Sequence, residues 1–125
     1  MVTKVIRLLY CFINYYIYVW DNMDYIRSEF DGKILFLEYL QESLGFNTTS
    51  YILNYIEKLI SSTKAGTVIL DISNVQHIDS SAVGMFISVK HGMKKQNRSF
   101  LIQGLTDTVQ RTLQILDVNN YLNVA

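Results

Sequence analysis

The sequence predicts a single α/β domain, a mixed and mostly parallel sheet with helices packed on it, in the order β-β-α-β-α-β-α-β. Three observations predict it. Apolar runs of strand length alternate with stretches whose apolar residues recur at helical spacing. An Asp31-Gly32 pair separates the first two runs and marks a hairpin. The run at residues 67–72 is continuous and rich in β-branched residues, as expected for a central strand covered on both faces.

Each element has its own warrant. Residues 25–30 and 33–40 are the two hairpin strands. Asn47, Thr48 and Thr49 offer N-caps for a helix whose stripe is Ile52, Ile56, Leu59 and Ile60. Lys58 near its end suits the helix dipole, and Gly66 follows as a breaker. After the strand at 67–72, a second helix starts at Asp79-Ser80-Ser81, turns Val83, Phe86 and Ile87 inward, and gives out between Gly92 and Asn97. Residues 99–103 form the next strand. Thr106 or Asp107 caps a third helix carrying Val109, Leu113 and Leu116, and residues 121–124 are a last short strand. Parallel neighbours then require right-handed crossovers.

The chain is 125 residues long, which suits one domain with one core. The predicted division is an apolar extension at residues 1–22 and the domain proper at 23–125. Residues 5–20 are almost unbroken in their apolar and aromatic character, interrupted by Arg7 and Asn14. Val5, Leu8, Leu9, Phe12, Ile13, Tyr16, Ile17 and Trp20 fall at helical spacing, but the opposite side is apolar too. Sixteen residues of helix would span about 24 Å, short of a ~30 Å hydrocarbon core. No small-residue cleavage site follows Lys4 and Arg7. Three readings stay open: a mis-assigned start with Met23 as the true one, a membrane- or partner-binding segment, or an extra element packed on the domain or across a dimer.

Composition removes several function classes. The 11 basic residues balance 11 acidic ones, and the densest basic stretch is Lys90, Lys94, Lys95 and Arg98, so nucleic acid is not an expected partner. One cysteine, Cys11, forms no internal disulfide framework and fits a reducing compartment. No glycine-rich phosphate loop and no G-x-S-x-G elbow is present. His77 and His91 with one distant cysteine make no zinc site. His77, Asp79 and Ser80 are close in sequence, but neighbouring positions at a strand–helix corner diverge, and a triad needs mutual hydrogen bonds.

The remaining candidate is the corner at Asp79-Ser80-Ser81. It lies after the carboxyl end of a core strand, where α/β folds place their sites. A hydroxyl at a helix N-terminus is exposed, and the free N–H groups and the dipole favour an attached anion. Either Ser80 or Ser81 suits a phosphate there, and ordinary capping accounts for one of the three residues equally well.

The stretch Val68-Ile69-Leu70-Asp71-Ile72-Ser73, continuing through Ile78-Asp79-Ser80-Ser81-Ala82-Val83-Gly84, resembles the signature of the STAS domains of bacterial anti-sigma-factor antagonists. The similarity runs on through residues 100–105 and Val109, Leu113 and Val118. The resemblance implies a STAS-like domain in which Ser80 is phosphorylated by a partner that is both anti-sigma factor and serine kinase. Unphosphorylated protein would bind that partner, phosphorylation would release it, and a phosphatase would reset the switch. The implied partner surface takes in Asp79, Ser80, Ser81, Val83 and Gly84, with no catalytic residue, metal or cofactor. That makes the chain a cytoplasmic signalling protein in transcription regulation, with membrane contact confined to residues 1–22. The alternative within the resemblance is a non-switching STAS subunit or scaffold of a membrane-associated transporter or stress-signalling complex. Ala82 stands where glycine is common, many relatives continue into a further helix beyond the position of Ala125, and residues 1–22 have no counterpart in the family pattern.

Overall fold

The computed structural model describes residues 18–22 and 25–122. Strands β1 (Tyr18–Asn22), β2 (Ile26–Phe30) and β3 (Ile34–Tyr39) form an antiparallel meander. A short β4 (Ser43–Leu44) leads into helix α1 (Thr49–Thr63). Then follow β5 (Thr67–Asp71), the short β6 (His77–Ile78), helix α2 (Ser80–Lys95), β7 (Ser99–Gln103), helix α3 (Asp107–Ile115) and a one-turn helix α4 (Asn119–Leu122). The main sheet has the order β1-β2-β3-β5-β7, and β4 pairs in parallel with β6 in a two-residue ribbon beside it. The main sheet divides evenly, with two antiparallel and two parallel pairings, because β1 joins the antiparallel side.

Burial follows strand periodicity. Phe30, Leu35, Val68 and Phe100 form one buried row across four strands, and Ser28, Leu37, Leu70 and Ile102 form the next. These rows pack with Ile52, Ile56 and Leu59 of α1 and with Ala82, Val83, Met85, Phe86, Val89 and Met93 of α2 in one contiguous core. The intervening residues are another matter. Thr67, Ile69 and Asp71 of β5 are only partly buried, so the strand is covered on one face and not on two. A run of β-branched residues satisfies either arrangement, and period-2 burial is what distinguishes them.

Other expectations shift in detail. Gly32 rather than Asp31 takes the positive φ of the hairpin tip, at +99°, while the Asp31 carboxylate accepts the N–H groups of Lys33 and Ile34. Helix α1 ends at Lys64 in the left-handed conformation, ahead of Gly66. Lys58 lies too far from that end to serve it. The α1 carboxyl end is served instead by Arg98, whose Nε donates to the Ala65 carbonyl at 2.7 Å and whose Nη2 donates to the Ile60 carbonyl at 2.9 Å. Leu116 ends α3 and is 43% exposed, since the chain reverses at Asp117 with positive φ. Ile87 is half-buried against the core rather than inside it. The strand expected at residues 121–124 is not formed over 121–122. Two asparagines favour a turn over a strand, and Leu122 reaches the core as the end of α4. Residues 123–124 lie outside the described residues. So does most of the apolar extension, of which residues 18–22 form strand rather than continuing the helical spacing.

The Asp79 corner, a candidate partner-binding site

The path from β5 to α2 is held at nearly every step. Ile72 N–H donates to the Gln103 carbonyl and Val75 N–H to Ile72, both at 3.0 Å. The Asn74 side chain donates to Tyr39 O at 3.1 Å, and the N–H groups of Gln76 and His77 both donate to Glu42 O. The Thr106 hydroxyl caps α3 through Val109 N–H and donates to Val75 O at 2.9 Å, tying a third helix start to the same loop. The β4–β6 ribbon then sets Ser43 opposite His77 and Leu44 opposite Ile78, which brings the loop before α1 beside the start of α2.

Asp79 joins the two. Its backbone is extended, and Oδ1 accepts the N–H of Ala82 at 3.1 Å as an ordinary N-cap. Its other oxygen, Oδ2, accepts the N–H of Phe46, 33 residues away, at 2.9 Å. A Cβ on Gly45 would lie 2.7 Å from that oxygen, so the loop's approach requires a residue without a side chain. Partial desolvation alone would raise the Asp79 carboxyl. The N–H groups of Phe46, Ala82 and Ser81 and the Ser81 hydroxyl outweigh it and hold the group below the usual aspartate range.

The sequence-predicted residues separate into three environments. Ser80 is the first residue of α2 and is exposed. Ser81 is half-buried, and its hydroxyl interacts with Asp79. Val83 is 5% exposed and belongs to the core, so its side chain is not on the surface with the others. Gly84 is exposed one turn below Ser80, with open space where a Cβ would point, and the two share a helix face. The Asp79 carboxylate is taken up by Phe46 and Ala82 rather than by His77, which leaves no triad geometry. Among the described residues, no group of three or more His, Cys, Asp or Glu side chains is placed to hold a metal ion, and no helix is long and apolar enough to cross a membrane.

Sequence reasoning missed two parts of this corner. One is the Gly45-Phe46 loop, whose Phe46 is 73% exposed and donates its backbone N–H to Asp79. The other is Asp71 at the end of β5. Its Oδ1 accepts the N–H and hydroxyl of Ser73, and its Oδ2 accepts the Gln103 amide at 3.0 Å. Burial would raise this carboxyl, but the Ser73 and Gln103 hydrogen bonds lower it overall. Gly104, at φ +74°, passes where a Cβ would lie 3.0 Å from Asp71 Oδ1. In both cases a carboxylate meets a glycine of another loop, and a glycine after a short strand was the available signal.

Known structures share this fold at low identity. The chain is similar to Thermotoga maritima TM1081, with TM-score 0.70 and 15% identity over 85% of this chain and 82% of that one. It is also similar to the anti-sigma factor antagonist SpoIIAA in its unphosphorylated form, with TM-score 0.64 and 15% identity over 87% of each chain. A third similarity is to the murine anion transporter Slc26a9, with TM-score 0.62 and 16% identity over 94% of this chain but 22% of that much longer one. At such identities the likeness concerns the fold. The model of the STAS domain family matches residues 25–125, from the start of the hairpin through the Asp79 corner to the last residue, and the chain belongs to the STAS domain family.

Proposed function

We propose that this chain is an anti-sigma-factor antagonist whose binding to an anti-sigma factor and serine kinase is switched by phosphorylation of Ser80. The observation that carries the reading is the exposed Ser80 at the start of a helix whose cap, Asp79, is locked in place by two elements. A phosphate there adds about −1.5 to −2 charges beside a carboxylate that is already ionised. A partner surface complementary to the unmodified corner then meets a negative charge raised from one to about 2.5–3, and like-charge contact costs several kcal/mol. Ser81 is the weaker acceptor, since it is half-buried and its hydroxyl is engaged with Asp79. The similar SpoIIAA structures include one in the phosphorylated form, which supports looking for the modification here. A phosphatase would restore the binding form. The chain itself would be a substrate and a binding module.

The test incubates the chain with candidate anti-sigma factors that carry serine kinase activity, taken from its own source organism. Mass spectrometry should place phosphate on Ser80. Ser80→Ala should abolish its incorporation and leave partner affinity unchanged, while Ser80→Asp should weaken binding at least about tenfold. Phosphate on another residue, or full binding by Ser80→Asp, would sink the switch.

A second reading has its own support in the fold shared with the transporter Slc26a9. In it the chain is a non-switching subunit of a membrane-associated complex. Ser80→Asp then scarcely changes partner binding, and the protein fractionates with membranes through residues 1–22.

A further inference from the structure

Phe46 is 73% exposed, and among the described residues its ring belongs neither to the core nor to the side chains packed against it. Other groups hold the loop it sits in. Gly45 leaves room for the Asp79 carboxylate, and the Gly45 carbonyl accepts the N–H groups of Thr48 and Thr49. The Phe46 N–H donates to Asp79 Oδ2 at 2.9 Å, a bond that any residue except proline could make. The fold therefore uses the backbone of Phe46 and leaves the choice of an aromatic side chain unexplained. A lone exposed apolar residue is ordinary on a protein surface. This one differs in being fixed from both sides and in standing beside the switch serine.

Covalent geometry bounds how near it stands. From the Phe46 α-carbon through its nitrogen and the Asp79 carboxylate to the α-carbon of Ser80 is at most about 12 Å. A standard interface takes about 800 Å² of each partner, a disc of roughly 16 Å radius. One centred on Ser80 takes in Phe46. The sequence around it also says what kind of surface it meets. Residues 43–56 carry no charged side chain, so the loop offers a partner an aromatic ring and neutral polar groups, with no ion pair. Aromatic residues dominate the binding energy of such patches, and one already ordered by the fold loses little freedom on binding.

We infer that Phe46 is the apolar anchor of the Ser80 interface, seated in an apolar pocket of the anti-sigma factor, and that Asp79 aids binding by presenting it. The inference rests on the reading of this corner as the face that meets that partner. Both Asp79 oxygens are engaged within the corner, one by Ala82 and the other by Phe46, so Asp79 is a positioning residue that acts through the loop. The two exposed groups then have separate tasks. Phosphate on Ser80 decides whether the partner can approach, and the Phe46 ring decides how tightly it stays.

Calorimetry of the full, unphosphorylated chain against the candidate anti-sigma factors tests both parts. Phe46→Ala should weaken binding at least about 30-fold, Phe46→Leu less than about fivefold, and Phe46→Lys should abolish it. Ile34 is also an exposed apolar residue, but it pairs with Thr67 at the far end of the sheet, so Ile34→Ala should leave affinity unchanged. The urea midpoint of Phe46→Ala should match wild type; a clear fall would assign the ring to the fold and overturn the inference. Asp79→Ala should weaken binding about tenfold in the wild-type chain and no more than about twofold in Phe46→Ala. Equal losses in the two backgrounds would make Asp79 a direct contact and overturn its positioning role. Wild-type affinity in Phe46→Ala overturns the anchor, and the switch survives if Ser80→Asp still weakens binding in the same assay. Full binding by Ser80→Asp with loss in Phe46→Ala removes the switch and keeps the anchor. Binding by none of the candidates overturns both.

Discussion

Helices α1 and α2 start side by side, yet their first turns are built by different means. At α1 the N-cap Thr48 makes no side-chain cap bond. Its hydroxyl turns back to Gly45 O at 3.2 Å, and the backbone N–H groups of Thr48 and Thr49 reach the same carbonyl. The start is a local turn, and Thr49 is buried in it. At α2 the cap is a carboxylate that closes its own helix with one oxygen and seizes the α1 loop with the other. The contrast explains why a candidate site belongs at α2. Its first residue is exposed, while its cap is fixed from two directions, so modification of Ser80 changes charge without having to disturb packing.

The sharpest way to break the contrast is to deny the carboxylate its neighbour. Gly45→Val places carbon where the Asp79 oxygen sits, since even a Cβ would be 2.7 Å away. Overpacking and loss of a hydrogen bond to a charged group together predict a cost of about 2–4 kcal/mol in urea unfolding. In an Asp79→Ala background the same substitution should cost at least ~1 kcal/mol less, because the clash is gone; equal cost in both backgrounds would show that the loop, not the clamp, is at fault.

Next in size is the cap itself. Asp79→Ala should cost about 1–2 kcal/mol at neutral pH, the range of a lost N-cap. The sign with pH follows from the lowered carboxyl. The unfolded chain takes up this proton first, so the contribution is complete above the unfolded value near pH 4 and is lost as pH falls through the folded one. The destabilisation by Asp79→Ala, measured against wild type, should therefore shrink as the pH is lowered below about 4. A difference that stays constant down to pH 2 would mean the carboxylate is not the stabilising group.

The two helix starts also mark how far the sequence could be read. The Asp-Ser-Ser cap, the hairpin turn and the Thr106 cap were legible because each works within about three residues, the reach of capping chemistry. Which serine is presented was not. Physical reasoning left Ser80 and Ser81 level, and their difference is one of burial and of the Ser81 hydroxyl's bond to Asp79. The Gly45–Phe46 contact was invisible for a similar reason, since it joins residues 33 positions apart and leaves no periodic trace. Val83 shows the converse limit. The resemblance put it on the partner surface beside Gly84, but adjacent helix positions lie about 100° apart, and the core claims Val83 while solvent keeps Gly84. Ile69 fits any buried strand by composition, yet only the placement of both helices on one side reveals that it faces away from them.

The smallest effect gives the contrast its baseline. Thr48 occupies the formal cap position of α1, and sequence rules alone would assign Thr48→Ala about the same 1 kcal/mol as any lost threonine cap. Its hydroxyl, however, meets Gly45, donating at 3.2 Å and accepting at 3.4 Å, and the Tyr39 hydroxyl, and the helix N–H groups do not use it. Two long bonds at a partly solvated turn are readily replaced by water, so the expected cost is no more than about 0.5 kcal/mol. The Phe46 amide should keep its hydrogen-exchange protection in Thr48→Ala and lose it in Asp79→Ala, because its acceptor is the carboxylate. If Thr48→Ala also exposes that amide, the loop is held by its own turn, and Asp79 becomes a guest at α1 rather than the residue that fixes it.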